Sequence, residues 1–428
     1  MNNVLIFPGG SEIGLEIHNA LKYSKLVKVF GGTSVGDHSE YVYSNLISNI
    51  PYVTEPNFLS VLNSMIDEHN IDYLYPALDT VQMYLTEHEN EINATVITSP
   101  LHTVQVCRSK SRTYEYFSGY DFVPKTFPNI EAVHSYPVFV KPSIGCGSID
   151  AIRVDNKEAL IAATRCKGND CVICEYLPGA EYTVDCFTDK DGILRVVKTR
   201  DRSRIKAGIS VRSQIKDTSP RIQEIAKIIN SKLVFNGAWF FQLKETADGD
   251  YRLLEISARI PGTMGLSRNC GINFPLLTLY NHLKYDVNII DNSYDIQVDR
   301  AFISRYHVSI EYQTVYLDLD DTLILPNNTV NTYLMMLLYQ LVNKGKRIVL
   351  LSRCAEDINK KLEAHRISPS LFKEIILISP DERKSDYITD RHAIFIDDSF
   401  SERRDVFVNA HIPVFDVDMI ESLIDWRQ

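Results

Sequence analysis

The stretch Pro137–Val154, PVFVKPSIGCGSIDAIRV, decides how the rest of the chain is read. Val138, Phe139 and Val140 make an apolar strand that delivers Lys141 into a loop of Pro142, Ser143, Gly145, Gly147 and Ser148. Ile149 to Val154 reads as the returning strand. Glycines let main-chain amides approach an anion closely, and small hydroxyls add donors without bulk. A lysine at a strand end offers a point charge to phosphate oxygens. The lysine precedes the glycines and no helix clearly follows, so the order is not that of a P-loop. Taken alone, the stretch also fits an ordinary glycine-rich hairpin turn.

Its flanks add charge to the same face. A helical pattern over Thr103–Phe117 carries Lys110 and Arg112, for which solvated charge is the ordinary reading. Beyond a helix at 156–165, CVICEYLPGAEYTVDCFTD reads as strand with Glu175 and Glu181 at its ends. The segment RVVKTRDRSRIKAGISVR is dense in cations for so acidic a chain, which makes Arg200, Arg202, Arg204 and Arg212 candidates for facing a phosphate or an acid. In AWFFQLKETADGDYRLLEISARIPG two strands meet at an Asp248-Gly249 turn. Glu255 and Ser257 share a parity on the second strand and Gln242 lies on the first, a plausible oxygen set for Mg²⁺. Arg259 continues the same face.

The N-terminal part alternates strand and helix. Asn3–Phe7, Val27–Phe30, Ile71–Pro76 and Thr95–Thr98 read as strands, with helical segments at 15–22, 58–69 and 80–92, an open α/β domain over 1–105. The turn PGGSEIG lacks the GxGxxG spacing and reads better as a tight crossover than as a nucleotide loop. Asp79, just past a strand end, either faces a cleft or caps the helix after it.

Composition bounds the rest. The 428 residues are 45% hydrophobic and 23% charged with a net charge of -10, which suits a soluble chain of several domains and disfavours nucleic acid or an anionic membrane as partner. No apolar run is long enough to span a bilayer, and the start has no basic segment or cleavage site of a signal peptide. Eight cysteines are scattered, and the CxxC at Cys171 and Cys174 has no second ligand pair at zinc spacing, which points to a reducing cytoplasm.

The C-terminal part carries a separate centre. In VYLDLDDTLI a buried strand ends in Asp318, Asp320 and Asp321, then Thr322; AIFIDDS repeats the device with Asp397 and Asp398. Several carboxylates at one strand end repel unless a divalent cation sits among them, and a helix cap needs only one. Ser352 lies just past the strand of IVLLSRC, and Lys384 opens a helical segment.

Lys110, Lys141 with its loop, Glu175, Glu181, Gln242, Glu255 and Arg259 stand in the order of the ATP-grasp superfamily, and residues 1–305 resemble its carbamoyl phosphate synthase and biotin carboxylase branch. The resemblance implies ATP and Mg²⁺ as cofactors. By it, Lys110 and Lys141 hold phosphates and the loop with Ser143, Gly145, Gly147 and Ser148 closes over them. Cys174 to Leu177, with Glu175 and Tyr176, read the adenine, and Glu181 takes the ribose. Gln242 and Glu255 ligate Mg²⁺, and Arg259 stabilises charge at the transferring phosphate. Ser257 stands where the family has asparagine, leaving a second metal position in doubt, and Ser109 replaces an aspartate, which reads as a lost cap.

Residues 313–428 resemble the haloacid dehalogenase (HAD) superfamily. That likeness implies Asp318 as nucleophile, Asp320 as general acid and base, Ser352 and Lys384 as phosphoryl holders, and Mg²⁺ bound by Asp318, Asp320, Asp397 and Asp398. The expected fold class is therefore α/β and α+β: a pre-ATP-grasp α/β domain (1–105), an ATP-grasp domain (106–305) and a Rossmann-like HAD domain with a minimal cap (313–428). The implied function is bifunctional, an ATP-dependent carboxylate–amine ligase acting through an acyl-phosphate, joined to a phosphatase of a phosphorylated metabolite. The alternatives are an ATP-grasp kinase or carboxylase, or an ATP-sensing protein with a degenerate ligase site. Small-molecule acid and amine substrates are the expected partners, with the oligomeric state open and a homodimer compatible.

Overall fold

In strand Asn2–Phe7 the run Val4–Phe7 is unbroken apolar because it is covered on both faces, as parallel strands under crossover helices are. Val4 and Ile6 pack with Ile13, Ile17 and Leu21 of helix Glu12–Leu21, while Leu5 and Phe7 pack with Phe58, Leu62 and Ile66 of helix Phe58–His69. With Val27–Gly32, Leu46–Ile47, Tyr73–Pro76 and Thr95–Val96 it forms a parallel sheet of order 3-2-1-4-5, counted along the chain. Ser11 caps the first helix by accepting from the Gly14 amide (3.0 Å), and Gly14 sits so near the Pro8 carbonyl that a Cβ would lie 2.4 Å from it. The PGGSEIG turn thus serves close helix–strand packing.

The computed structural model describes residues 1–145, 147, 149–165, 170–206, 208–292, 294–353 and 357–427. They fall into two units, Met1–Phe302 and Ile303–Gln428. Beyond the N-terminal sheet the first unit holds a four-stranded sheet, ordered Thr126–Phe127, Cys171–Glu175, Val138–Pro142, Ile152–Val154. A larger antiparallel sheet runs Arg204–Lys206, Ile209–Lys216, Leu194–Asp201, Glu181–Thr188, Gly237–Glu245, Tyr251–Ser257, with Gln297–Asp299 added on Ile209–Lys216. One face of this sheet is apolar. Val184, Cys186, Trp239, Phe241, Leu243, Leu253 and Ile256 pack with Ile222, Ile225 and Ile229 of helix Pro220–Lys232. Strand alternation then sends Glu181, Thr183, Gln242 and Glu255 to the other face. A register shift between Gln242 and Leu243 pairs Gln242 with Glu255 but Leu243 with Leu253, so Leu254 is a bulge that re-aims its carbonyl.

The expected helix over Thr103–Phe117 is two helices, Leu101–Arg108 and Lys110–Tyr116, because Ser109 is extended (φ -114°, ψ 118°). Its hydroxyl accepts from the Arg112 amide (3.3 Å), so Ser109 is a working N-cap rather than a lost one.

The second unit is a parallel sheet of five strands, Thr314–Leu317, Arg347–Ser352, Glu374–Leu377, Ala393–Ile396 and Val414–Phe415, again in the order 3-2-1-4-5. Val315, Leu317, Ile348 and Leu350 pack with Leu334, Leu337, Leu338 and Leu341 of helix Thr332–Asn343. Tyr316, Val349, Leu351 and Phe395 form a second core with Val406 of helix Phe400–Asn409. Between Thr322 and the strand Arg347–Ser352 there are only a turn, in which Ile324 bridges to Asp320 and Val330, and one helix. No helix among the described residues is long and apolar enough to cross a membrane.

Candidate functional site

A solvent-open cleft lies in the first unit. Its lining brings together Lys110, Lys141, Gly145, Gly147, Glu175, Tyr176, Leu177, Glu181, Gln242 and Glu255. One part of it is apolar, with Pro124, Phe139, Ile149, Ala151 and Leu177; Arg202 and Lys244 add cations. Lys244 escaped the sequence reading although it shares the parity of Gln242.

The cations are held at defined points. Lys141 is 6% exposed, and its Nζ donates to Tyr114 Oη (2.6 Å) and to the bulged Leu254 carbonyl (3.2 Å), which also accepts from Tyr114 Oη (2.8 Å). Tyr114 had no motif to mark it, but it stands four residues after Lys110 on one helix. Burial, with the Lys110 charge beside it, pulls the Lys141 ammonium below the ordinary lysine value. Lys110 Nζ lies 3.4 Å from Glu255 Oε2 and 3.5 Å from the Gly145 carbonyl it donates to. Glu181 accepts from Lys244 Nζ (2.8 Å) and sits 3.3 Å from Arg202 Nε, while Glu175 accepts from the Lys125 amide (2.8 Å). The Arg153 guanidinium stacks 4.7 Å above the Tyr176 ring. A carboxylate pair facing lysines in a walled cleft is suited to binding polyanions and their counter-cation.

Other expected positions lie elsewhere. Ser143 is buried, with its hydroxyl bonded to Ser109 (2.8 Å) and Ser111 (2.6 Å), so it ties the loop to the helix start instead of facing the cleft. Ser148 lies outside the described residues. Ser257 and Arg259 leave the cleft: Ser257 Oγ donates to Asp79 Oδ1 (3.2 Å), and Arg259 grips Asp79 through Nε (2.8 Å) and Nη2 (2.6 Å). Their parity is as read, but two residues along a strand is about 7 Å, enough to carry them past the cleft to the N-terminal sheet. Burial would raise the Asp79 carboxyl, yet Arg259 outweighs it and holds the group below its ordinary value. Asp79 therefore anchors one layer of the unit to another.

Of the four candidate arginines only Arg202 reaches the cleft. Arg200 is buried in a two-point bond to Asp185 (2.9 and 3.2 Å), Arg204 pairs at the surface with Asp299 (2.6 Å), and Arg212 lies against Gln297.

In the second unit, Asp318 and Asp397 end neighbouring parallel strands, and Lys384 Nζ lies 2.6 Å from an oxygen of each. Ser352, buried at the end of the strand on the other side, bonds Asp318. Burial raises the Asp318 carboxyl despite Lys384, and burial with the neighbouring Asp318 charge lifts Asp397 to about 6. Burial alone would lower the Lys384 ammonium, but the two carboxylates hold it above its usual value. Asp320 is drawn to Lys361 (2.5 Å), and Asp398 exchanges bonds with Thr322 (3.1 and 3.0 Å). The four aspartates thus do not form one oxygen cage, and among the described residues no three His, Cys, Asp or Glu side chains are grouped to hold a metal. Arg403, which carried no sequence signal, donates to the main-chain oxygens of Asp397 (2.7 Å) and Asp398 (2.6 Å) and fixes that strand end.

Residues 167–301 match a family described as ATP-grasp in the biosynthetic pathway with Ter operon. No curated protein matches the chain. Among solved structures, a biotin carboxylase from Campylobacter jejuni in complex with β-γ-ATP is similar at TM-score 0.58 and 16% identity, covering 68% of this chain and 74% of its own. An L-amino acid ligase from Bacillus licheniformis is similar at TM-score 0.53 and 21% identity, covering 66% and 74%. N5-carboxyaminoimidazole synthetase from Staphylococcus aureus, complexed with ADP, gives 0.53 and 14% with 67% and 78% covered. At such identities the likeness is one of fold, and the chain has a mixed α/β, ATP-grasp-like fold.

Proposed function

We propose that the first unit is an ATP-dependent ligase joining a carboxylic acid to an amine, and that the second is a Mg²⁺-dependent phosphatase acting on a phosphorylated metabolite, both working in the reducing cytoplasm. The observation that carries the ligase reading is the convergence of Lys110, Lys141, Gln242 and Glu255 in one cleft with an apolar part. That donor set suits a nucleoside triphosphate with its cation: Tyr176, Leu177 and Phe139 would face the base, Glu181 the ribose, and Lys110 and Lys141 the phosphates. Gln242 and Glu255, paired across adjacent strands, would hold Mg²⁺. ATP supplies the phosphoryl group that turns an acid into an acyl-phosphate open to an amine. Within the chain, Tyr114 and the Leu254 carbonyl aim Lys141 and Arg202 stands ready for charge on the acid. The biotin carboxylase likeness keeps a carboxylase as the second reading, since the nucleotide end is the same in both.

Support for the phosphatase comes from where its residues stand. Strands one and four flank the switch point of a 3-2-1-4-5 sheet, where the crevice beyond the strand ends takes ligands. Asp318 would attack phosphorus with Ser352 and Lys384 holding the phosphoryl oxygens, and Asp318 and Asp397 or Asp398 would share Mg²⁺. Asp320 would serve as acid and base once released from Lys361.

Two arms of one experiment test the pair. Lys141→Ala should remove ADP release stimulated by acid and amine; Asp318→Asn should abolish Mg²⁺-dependent hydrolysis of an aryl phosphate while leaving ADP release intact. Full aryl phosphate turnover in Asp318→Asn would end the phosphatase reading, and unchanged ADP release in Lys141→Ala the ligase reading.

A further inference from the structure

In the second unit, the turn after strand Thr314–Leu317 is tied at two points to helix Ile358–Ala364, which follows the neighbouring strand Arg347–Ser352. Lys361 Nζ lies 2.5 Å from Asp320 Oδ1. His365, at the helix end, bonds the Lys361 carbonyl through Nδ1 (2.8 Å) and the Asn328 side chain through Nε2 (3.0 Å). Asp320 stands two residues beyond Asp318, so the ion pair lies at the strand ends, where ligands enter such a sheet. The Lys361 side chain is 18% exposed and that of Asp320 41%, so an incoming molecule can reach both. The other cations around these strand ends have partners that the proposed chemistry leaves in place. Lys384 lies between Asp318 and Asp397, Arg353 holds Glu402 (3.2 Å) and the Ser379 carbonyl (2.6 Å), and Arg403 holds main-chain oxygens of Asp397 and Asp398. Lys361 is paired instead with the carboxylate that must turn to the leaving group.

Pulling a carboxylate off a half-shielded ammonium gives up a charge-assisted bond, a loss that a second anion at the same place makes good. The ester oxygen of the leaving group comes to Asp320, so groups one or two carbons from that oxygen come to Lys361. Resting on the phosphatase reading, we propose that Lys361 selects the substrate by exchanging Asp320 for an acid group carried on the leaving group. The released Asp320 protonates the ester oxygen as the bond from that oxygen to phosphorus breaks and the bond from Asp318 to phosphorus forms; water then cleaves the aspartyl-phosphate. The class implied is a phosphomonoester with a carboxylate or second phosphate close to its ester oxygen, as opposed to the ester of a neutral or cationic alcohol.

The test is phosphate release by the whole chain in Mg²⁺ from two matched pairs of esters. Phosphoglycolate is set against ethylene glycol monophosphate, and phosphoserine against phosphoethanolamine, so that each pair differs in one carboxylate. In each pair kcat/KM should favour the acid by at least about tenfold. In Lys361→Met the acid esters should fall about tenfold while their counterparts rise, because Asp320 starts released; Lys361→Arg should keep the preference. A side chain that only braced the turn would lower all four together. Trp426 fluorescence certifies folding of the second unit, and the ratios of the unsubstituted chain decide the question even where a variant melts early. Equal rates within each pair, or all four esters falling by one factor in Lys361→Met, overturn the selection and leave the phosphatase standing. No release from any of the four or from an aryl phosphate overturns the phosphatase reading and the selection with it.

Discussion

Removing the Asp185 carboxylate should destabilise the first unit without touching its chemistry. Asp185 and Arg200 are 1% and 2% exposed, cross-linked by Nε–Oδ2 (2.9 Å) and Nη2–Oδ1 (3.2 Å) bonds, and Arg200 Nη1 is buried without a hydrogen-bond partner. In Asp185→Asn the guanidinium keeps its charge and loses its counter-ion, a loss of about 3–5 kcal/mol for a buried pair. For Met1–Phe302, at about 2.1 cal/mol/K per residue, the unfolding entropy is about 0.6 kcal/mol/K, so the melting temperature should fall by about 5–8 °C. The chain has two tryptophans, Trp239 buried in the first unit and Trp426 in the second. In a Trp426→Phe background, Trp239 fluorescence follows the first unit alone. Asp185→Leu/Arg200→Met, which removes both charges, should regain most of the loss. A variant Asp185→Asn that melts within about 1 °C of its parent while ADP release collapses would show that Arg200 handles substrate, and would refute the structural role assigned here.

Two further outcomes follow from buried titrations. Burial, with Lys22 nearby, lowers His18 to about 4, so between pH 6.5 and 4 the unfolded chain binds a proton that the folded one refuses; stability present above pH 6.5 should be lost as pH falls, by up to about 3 kcal/mol, and His18→Gln should shallow that acid limb in urea titrations. Lys384→Met leaves Asp318 and Asp397 buried without their cation; Trp426-detected melting of the second unit should drop by several degrees at pH 8, and the deficit should shrink as pH falls, because Asp397, at about 6 even with Lys384 holding it down, takes up its proton at a higher pH once that cation is gone.

Sequence made legible those residues whose chemistry has no other account. A lysine delivered by an apolar strand into glycines, or two aspartates after AIFI, sits where a packed strand end offers no reason for charge, and the structure places Lys141, Glu255, Asp318 and Asp397 where side chains converge. Alternation also placed Glu255, Ser257 and Arg259 on one face correctly. What it left open was depth. A strand face is longer than the cleft laid against it, and where the cleft stops depends on the element packed across, here the Asp79 helix start, 180 residues away in sequence from Arg259. Arg200 fails for a related reason. Arginine density said that cations cluster, but only the register pairing Thr183 with Arg200 puts Asp185 within its reach. The cation run therefore divides by neighbour: Arg200 is consumed by a buried acid, Arg204 by a surface one, and Arg202 remains for the cleft because the strand it adjoins ends in Glu181, itself shared with Lys244. A charged residue's function is set by whichever counter-charge the fold brings to it first, and that ordering is a property of register, which no single strand carries.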